Sequence, residues 1–220
     1  MIDRPMIDRT GFILANTRLL MPPLVPEIHL HLAEESLPIW RKTEEELGEM
    51  GLPPPYWAFA WAGGQALARY ILDHPAELDG KRVLDIGAGS GIAAIAAAKA
   101  GASQVAAADI DALAVAAMDL NAAANDVTIA ATADDWLNRD APQGDVLLVG
   151  DLFYERELAE RVMAFIRRQA ADGARVLVGD PRRSYFPKDT FAAIAHYDVP
   201  VTRELEDAEI KRAAVWQLAN

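Results

Sequence analysis

The chain has 220 residues, 52% hydrophobic and 25% charged, which suits one globular domain with a full core. Its 33 acids against 21 bases give a net charge of −12, which argues against a protein that tracks nucleic-acid phosphates. The absence of Cys excludes disulfides, thiolate metal sites and a cysteine nucleophile, and no apolar run reaches the length of a membrane span. The opening MIDRPMIDR carries acids and lacks the apolar centre of a secretory signal, and it is too acidic for a mitochondrial presequence. A cytoplasmic protein is expected, and the Ala-rich, Cys-free composition points to a bacterial one.

Residues 1–10 read as an irregular or helical tip, followed by an apolar stretch from Phe12 to Leu20 that Pro22, Pro23 and Pro26 break. EIHLHLA then alternates, with Ile28, Leu30 and Leu32 on one face and His29 and His31 on the other, which predicts a short strand. The histidine pair has no third ligand nearby, so no metal site is expected. Ser36–Gly51 reads as a polar, acidic helical turn or two whose carboxylates form a solvated face. Residues 1–50 are therefore expected to be an N-terminal extension packed on the core, and residues 51–220 the main domain.

From Pro53 to Pro75 the sequence PPPYWAFAWAGGQALARYILDHP places Trp57, Phe59 and Trp61 between small residues. Gly63-Gly64 is expected to open a helix over 65–72. Trp57 and Phe59 serve equally well as core, whereas Trp61 stands before the glycines and beside the next strand, where an aromatic face can border a cation.

VLDIGAGSGIAAIAAAKAGA, residues 83–102, reads as a buried strand, a turn rich in glycine (Gly87, Gly89, Gly91), and a helix that Gly101 caps. Such a turn lets a ligand approach the backbone and aims the free N–H groups of a helix start at it. A second strand, QVAAADID, ends in Asp109, about 18 residues past Gly91, where a carboxylate can accept hydrogen bonds from a ribose. This is a nucleoside-binding βαβ unit. Ile92 stands where the dinucleotide fingerprint needs a small residue, which disfavours a dehydrogenase.

An Ala-rich helix is expected over 113–124, a third strand over 127–131, and then an acidic loop containing Asp134, Asp135 and Trp136. The acids there read equally as a helix N-cap. A fourth strand ends at Asp151, with Tyr154 three residues on. Chemistry in an open parallel sheet sits beyond the carboxyl ends of the strands, so Asp151 shares an edge with Gly87, Gly89 and Asp109. A helix (157–170), a fifth strand (ARVLVGD) and the loop PRRSYFPKD follow. Arg182 and Arg183 there suit an acidic partner, and Tyr185 and Phe186 suit a substrate wall. A helix over 190–195 and two alternating strands, YDVPVTREL and KRAAVWQLA, are expected to close the chain as an antiparallel hairpin.

Three stretches carry a resemblance. Gly87–Gly91 resembles motif I of the seven-strand S-adenosylmethionine (SAM) methyltransferases. YWAFAWAGGQALARYILDHP resembles the W-x-G-G-x-x-L-x-x-Y/F-L segment of the seven-strand protein-lysine methyltransferases, and Asp151-Leu152-Phe153-Tyr154 resembles their D/E-x-x-Y/F motif. Among these the chain is most similar, over roughly residues 12–190, to the group acting on the electron transfer flavoprotein β subunit. The N-P-P-Y signature of amide and base methylation is absent. The resemblance implies an α/β, Rossmann-like seven-strand fold with a mostly parallel sheet. It implies SAM as cofactor, S-adenosylhomocysteine as product, and a protein substrate, the electron transfer flavoprotein β subunit. Asp85 is then expected at the methionine end of the cofactor, and Trp61, Gly87, Gly89, Gly91, Asp109, Ile110, Asp135 and Trp136 around the rest. Asp134 is the alternative to Asp135 at the adenine amino group. Asp151 and Tyr154 are expected to be catalytic, with Phe153, Arg182 and Tyr185 at the substrate. No metal, nucleic acid or membrane is expected, and a monomer is. A small-molecule amine (nicotinamide-like) methyltransferase and a SAM-binding module without turnover remain open.

Overall fold

The computed structural model describes residues 8–34, 54–138, 141–202 and 208–219. The helical turns expected within 36–51 lie outside them. A seven-stranded sheet organises the molecule, in the order β5-β4-β3-β6-β7-β9-β8. Its strands are β3 (Arg82–Ile86), β4 (Gln104–Ala108), β5 (Ala130–Thr132), β6 (Val146–Gly150), β7 (Arg175–Asp180), β8 (Phe191–Pro200) and β9 (Ile210–Leu218). The first five run parallel, and β9 inserts antiparallel between β7 and β8. The expected mostly parallel sheet with a C-terminal antiparallel hairpin is what the chain forms.

Alternation along the central strands sends side chains to two apolar layers. Val83, Leu148 and Leu177 pack with the helices α2 (Ala62–Asp73) and α3 (Ile92–Lys99). Leu84, Leu147, Val176 and Val178 pack against α5 (Arg156–Ala171) and an aromatic group of Phe153, Phe186, Phe191 and Trp216. The helix α4 (Ala112–Ala124), capped by the Asp111 carboxylate at the Leu113 N–H, lies over the β4–β5 side. Among the described residues no helix is long and apolar enough to cross a membrane.

Ahead of the sheet, α1 (Arg9–Asn16) starts on the Asp8 side chain, and β1 (Arg18–Leu20) pairs antiparallel with β2 (Leu30–Leu32). Ile28, Leu30 and Leu32 are buried, as their alternation requires. The backbone of His29 and His31 is pinned to α4: Asn125 accepts the His29 N–H (3.0 Å) and Asn121 the His31 N–H (2.7 Å).

Three expectations need correction. Residues 190–195 are not a helix but lie largely in β8, which pairs with β9 from Phe191↔Leu218 to Pro200↔Ile210 around a bulge at Ala193/Ala195. Tertiary pairing overrides the helical preference of the alanines there. The third strand is shorter and ends one residue later than the expected 127–131: it forms at Ala130–Thr132, where three residues register with Ala106–Ala108. Gly63 and Gly64 do not precede α2 but lie within its first turn. Their small size serves packing: a Cβ on Gly63 would strike the Gly179 carbonyl oxygen of β7 and stand 2.6 Å from Asp151 Oδ2.

Candidate active site

At the carboxyl edge of the sheet the chain leaves β3 through three glycines with positive φ: 57° at Gly87, 53° at Gly89 and 78° at Gly91. L side chains rarely adopt these angles, so the turn needs glycine whatever the space around it. Space matters too at Gly87, where a Cβ would meet the Leu152 side chain at 2.5 Å. The turn is tied to β4 twice. Ala88 N–H donates to the Ala108 carbonyl (3.2 Å), and Gly89 N–H donates to Asp109 Oδ2 (3.0 Å). Asp109 Oδ1 accepts from the Asp111 N–H (2.9 Å). Burial raises the Asp109 carboxyl above the usual carboxylate range, against the pull of these two N–H groups. Asp85 lies beneath the turn, not on the cavity wall, and accepts the Ala94 N–H of α3 (3.1 Å). Burial pushes it up to about 8.

A cavity of about 490 Å³ opens over this turn, within the roughly 300–1,000 Å³ range of cofactor and ligand sites. Trp57, Trp61, Gly87, Gly89, Asp109, Ile110, Asp134, Asp135, Trp136, Asp151, Tyr154 and Arg183 line it. Ile110 is 74% exposed and offers an apolar face at one end. Trp136 is buried against the α5 layer and shows the cavity one side. Asp135 holds its own turn: its oxygens accept from the Leu137 N–H (3.2 Å) and Asn138 Nδ2 (2.7 Å), and Arg161 pairs with it at 3.0 Å. Asp134 accepts from the Thr132 hydroxyl (2.9 Å).

Asp151 forms the other end. It follows β6 with φ 57°, an uncommon angle for a non-glycine residue, and its N–H donates to the Gly179 carbonyl (3.0 Å). Its Oδ2 accepts the Gly64 N–H at the start of α2 (2.9 Å), where the helix dipole favours negative charge. Its Oδ1 takes both Arg183 Nε (2.9 Å) and Arg183 Nη2 (2.7 Å). Around it stand aromatics: Tyr56 lies 6.1 Å from Trp61 and 5.8 Å from Tyr154, ring centre to ring centre. The Trp61 indole N–H donates to the Tyr56 carbonyl (2.9 Å), which fixes its ring. Tyr154 is 44% exposed, and burial of its hydroxyl pushes it up to about 12, so it stays protonated at neutral pH.

The substrate residues expected from sequence fare differently. Phe153 is fully buried and packs edge-on against Phe186, so it belongs to the core and not to a substrate wall. Phe186 is core as well. Arg182, at φ 65°, turns outward and lays its guanidinium 5.1 Å over the Trp216 ring, off the cavity. Tyr185 faces Arg156 (5.4 Å) and is also off the cavity wall. The turn that expels Arg182 aims Arg183 inward, because Asp180 Oδ1 takes the Arg183 N–H (2.7 Å). Tyr56, Leu152, Leu158 and Arg161 also line the cavity, though the sequence pattern does not mark them as site residues. Tyr56 begins the aromatic run that continues through Trp57, Phe59 and Trp61. Arg161 reads from sequence as an ordinary charge on a helix face.

Among the described residues no group of three His, Asp or Glu is arranged to hold a metal. The donor set suits a nucleoside cofactor: a backbone cradle without Cβ atoms, a carboxylate at the end of β4, and an apolar wall from Ile110 and Trp136.

Comparison with known proteins bears on this site. Residues 65–166 match the family of ribosomal protein L11 methyltransferase (PrmA). The chain is 38% identical over 212 residues to the electron transfer flavoprotein beta subunit lysine methyltransferase of Xenopus laevis, covering 94% of this chain and 85% of that one. It is 35% identical over 217 residues to the Danio rerio protein of the same name, covering 96% and 83%. Magnesium protoporphyrin IX methyltransferase from Synechocystis PCC 6803, solved with bound SAM, shares the fold at TM-score 0.52 and 18% identity, over 71% of this chain and 80% of that one.

Proposed function

The chain belongs to the electron transfer flavoprotein β-subunit lysine methyltransferase family, and on that premise we propose that it methylates one or more lysines of an electron transfer flavoprotein β subunit, with SAM as donor. The observation that carries the reading is one cavity joining the glycine cradle and Asp109 to Asp151, Trp61 and Tyr154. When bound, SAM supplies a methyl group on a positively charged sulfur, open to in-line attack by a lone pair.

The residues of this chain do the rest by positioning and by excluding water. Gly87 and Gly89 would admit the cofactor to the backbone, Asp109 would take the ribose hydroxyls, and Ile110 and Trp136 would border the base; Gly91, expected at the cofactor, lies off the cavity wall and instead closes the turn, its N–H donating to the Ala88 carbonyl (2.8 Å). Asp135, with Asp134 as the alternative, serves the adenine amino group. Asp85 braces the turn from below through Ala94, and through it the methionine end. A lysine ammonium, with an ordinary pKa of about 10.4, has no lone pair until it loses a proton. Asp151 recognises that ammonium and orients it. A carboxylate by itself raises the amine pKa, and an apolar, aromatic channel lowers it. The proton leaves to water at the mouth. Tyr154, Tyr56 and Trp61 shield the nitrogen and aim it, Tyr154 as a neutral hydroxyl. Asp151 and Tyr154 are thus the proposed catalytic pair.

The test is incubation with isotopically labelled SAM and either purified electron transfer flavoprotein or whole lysate. A labelled lysine in the β subunit supports the reading. A labelled small amine would make this a small-molecule methyltransferase, and binding of SAM with no label anywhere would make it a module without turnover. We further propose action as a monomer without a nucleic-acid partner, on the strength of the net charge of −12. The relatives matched over most of their length include frog, fish, mouse and human proteins and lend no weight to the bacterial origin that composition suggested.

A further inference from the structure

Arg183 stands at the acceptor end of the cavity, yet no step proposed above uses it. Its placement is built rather than incidental. The fully buried Asp180 takes its N–H at 2.7 Å, and Arg182 turns the chain at φ 65° to bring it inward. Its guanidinium makes two charge-assisted hydrogen bonds to Asp151 Oδ1, at 2.9 and 2.7 Å, and lies 5.5 Å from the centre of the Trp61 ring. The Arg183 and Asp151 side chains are 17% and 10% exposed.

A carboxylate facing an aromatic ring is the pairing that recognises an organic cation. The lysine reading gives that pair to the substrate, and the identity of the incoming cation rests on that reading. The geometry, however, shows the pair already holding a cation of this chain. An ammonium would need the same oxygen and the same ring, and like charges so close repel one another, so it and this guanidinium compete for the place. We propose that Arg183 is an internal competitor that gates the acceptor site: its guanidinium fills the substrate ammonium's position, and an acceptor enters only by displacing it from Asp151 and Trp61.

An internal competitor that holds the site nine-tenths of the time weakens the apparent affinity of the acceptor about tenfold. A lysine on a protein surface has other contacts with which to offset that loss. A small free amine has only its charge, so the same device turns small amines away. The loss is common to both and leaves the ratio of their affinities unchanged; what Arg183 sets is a threshold of affinity that a protein-borne lysine passes and a free amine does not.

The test is a titration of the wild-type protein and Arg183→Ala with n-butylammonium, a lysine side-chain mimic, followed by NMR at the Trp61 indole N–H. Binding to the variant should be about tenfold tighter than to wild type, and adding Asp151→Asn should abolish it. In turnover assays Arg183→Ala should show a lower KM for the protein substrate and should begin to methylate free amines. Arg183→Gln, which removes the charge but keeps much of the bulk, replaces it if Arg183→Ala does not fold. Equal binding of n-butylammonium to wild type and a folded variant overturns the proposal. So does a fall in kcat/KM that added methylguanidinium restores, since Arg183 would then be orienting Asp151 for the reaction. Failure of the lysine reading shows separately, as wild type that labels no lysine, while the n-butylammonium titration still reports on Arg183.

Discussion

Replacing Gly63 with Ala sets two local effects against each other, and the structure decides which wins. In a helix, Ala is favoured over Gly by about 1 kcal/mol, so on propensity alone Gly63→Ala should stabilise α2. The added Cβ, however, would strike the Gly179 carbonyl oxygen and stand 2.6 Å from Asp151 Oδ2 and 2.7 Å from the Gly179 carbonyl carbon. Two of these are backbone atoms of a central strand and cannot swing aside, so α2 must lift from β7. Overpacking of this kind costs about 1–3 kcal/mol, and here the upper part of that range applies. The expected net loss is about 2 kcal/mol, or about 4–8 °C in Tm for a chain of this length. Gly64→Ala is the internal control, since its Cβ would meet only the Ile92 Cγ2 methyl, at 3.2 Å. A side chain can yield, so its melting point should move by no more than about 3 °C. Gly63→Ala should also disturb the Asp151 carboxylate and lower methyl transfer more than SAM binding. Thermal melts followed by circular dichroism decide the matter. A Gly63→Ala protein that melts at or above the wild-type temperature would refute the close-packing argument.

Other perturbations probe the two ends of the cavity. Gly89→Val forces a β-branched residue to φ 53° although its Cβ alone would make only an ordinary contact, with the Trp57 Cα at 3.7 Å; calorimetry should show loss of SAM binding, and unaltered affinity would make the turn structural only. Asp151→Asn should abolish methyl transfer while SAM affinity stays within a few-fold, and normal turnover in a labelled-methyl assay would remove Asp151 from the reaction. Asp85 gives a pH signature. Burial raises it to about 8, so from the ordinary carboxylate range up to about 8 the native state keeps a proton that the unfolded chain has released. Stability should therefore fall as pH rises through that window and level off above it. Asp85→Asn should flatten the slope in melts across the window, and an unchanged slope would show that Asp85 ionises freely in the fold.

How much of this was legible beforehand follows from how local each determinant is. The strand–turn–helix at residues 83–99 was legible because three positive-φ positions admit little but glycine, and because Asp109 follows at a spacing set by one βα unit. The antiparallel closure was legible from alternation in KRAAVWQLA. The strand at 191–200 was not, since AAIA carries a helical preference and only its pairing with β9 reveals it. The motif Asp151–Tyr154 was legible as a motif but not as geometry. Leu152 goes to Gly87, Phe153 to the aromatic core and Tyr154 to the cavity mouth, a division set by the left-handed turn at Asp151 and by no alternation. Arg182 and Arg183 are chemically identical neighbours, and a single φ of 65° at the first sends them to opposite sides of the wall.

The glycine pair of the W-x-G-G segment takes on a different meaning in this light. As a helix-opening turn it would be a feature of α2 alone. As the contact face of α2 on β7 it is a feature of the active site, because the same close approach delivers the Gly64 N–H to Asp151 Oδ2 at 2.9 Å. That donor and the dipole behind it favour a charged Asp151. With one oxygen held by the helix, the carboxylate presents the other to whichever cation reaches it. Gly63 and Gly179 thus control the acceptor site without touching an acceptor. A substitution at either should therefore alter methyl transfer in step with the displacement of Asp151, whereas the distant cradle at Gly87–Gly91 continues to bind its cofactor.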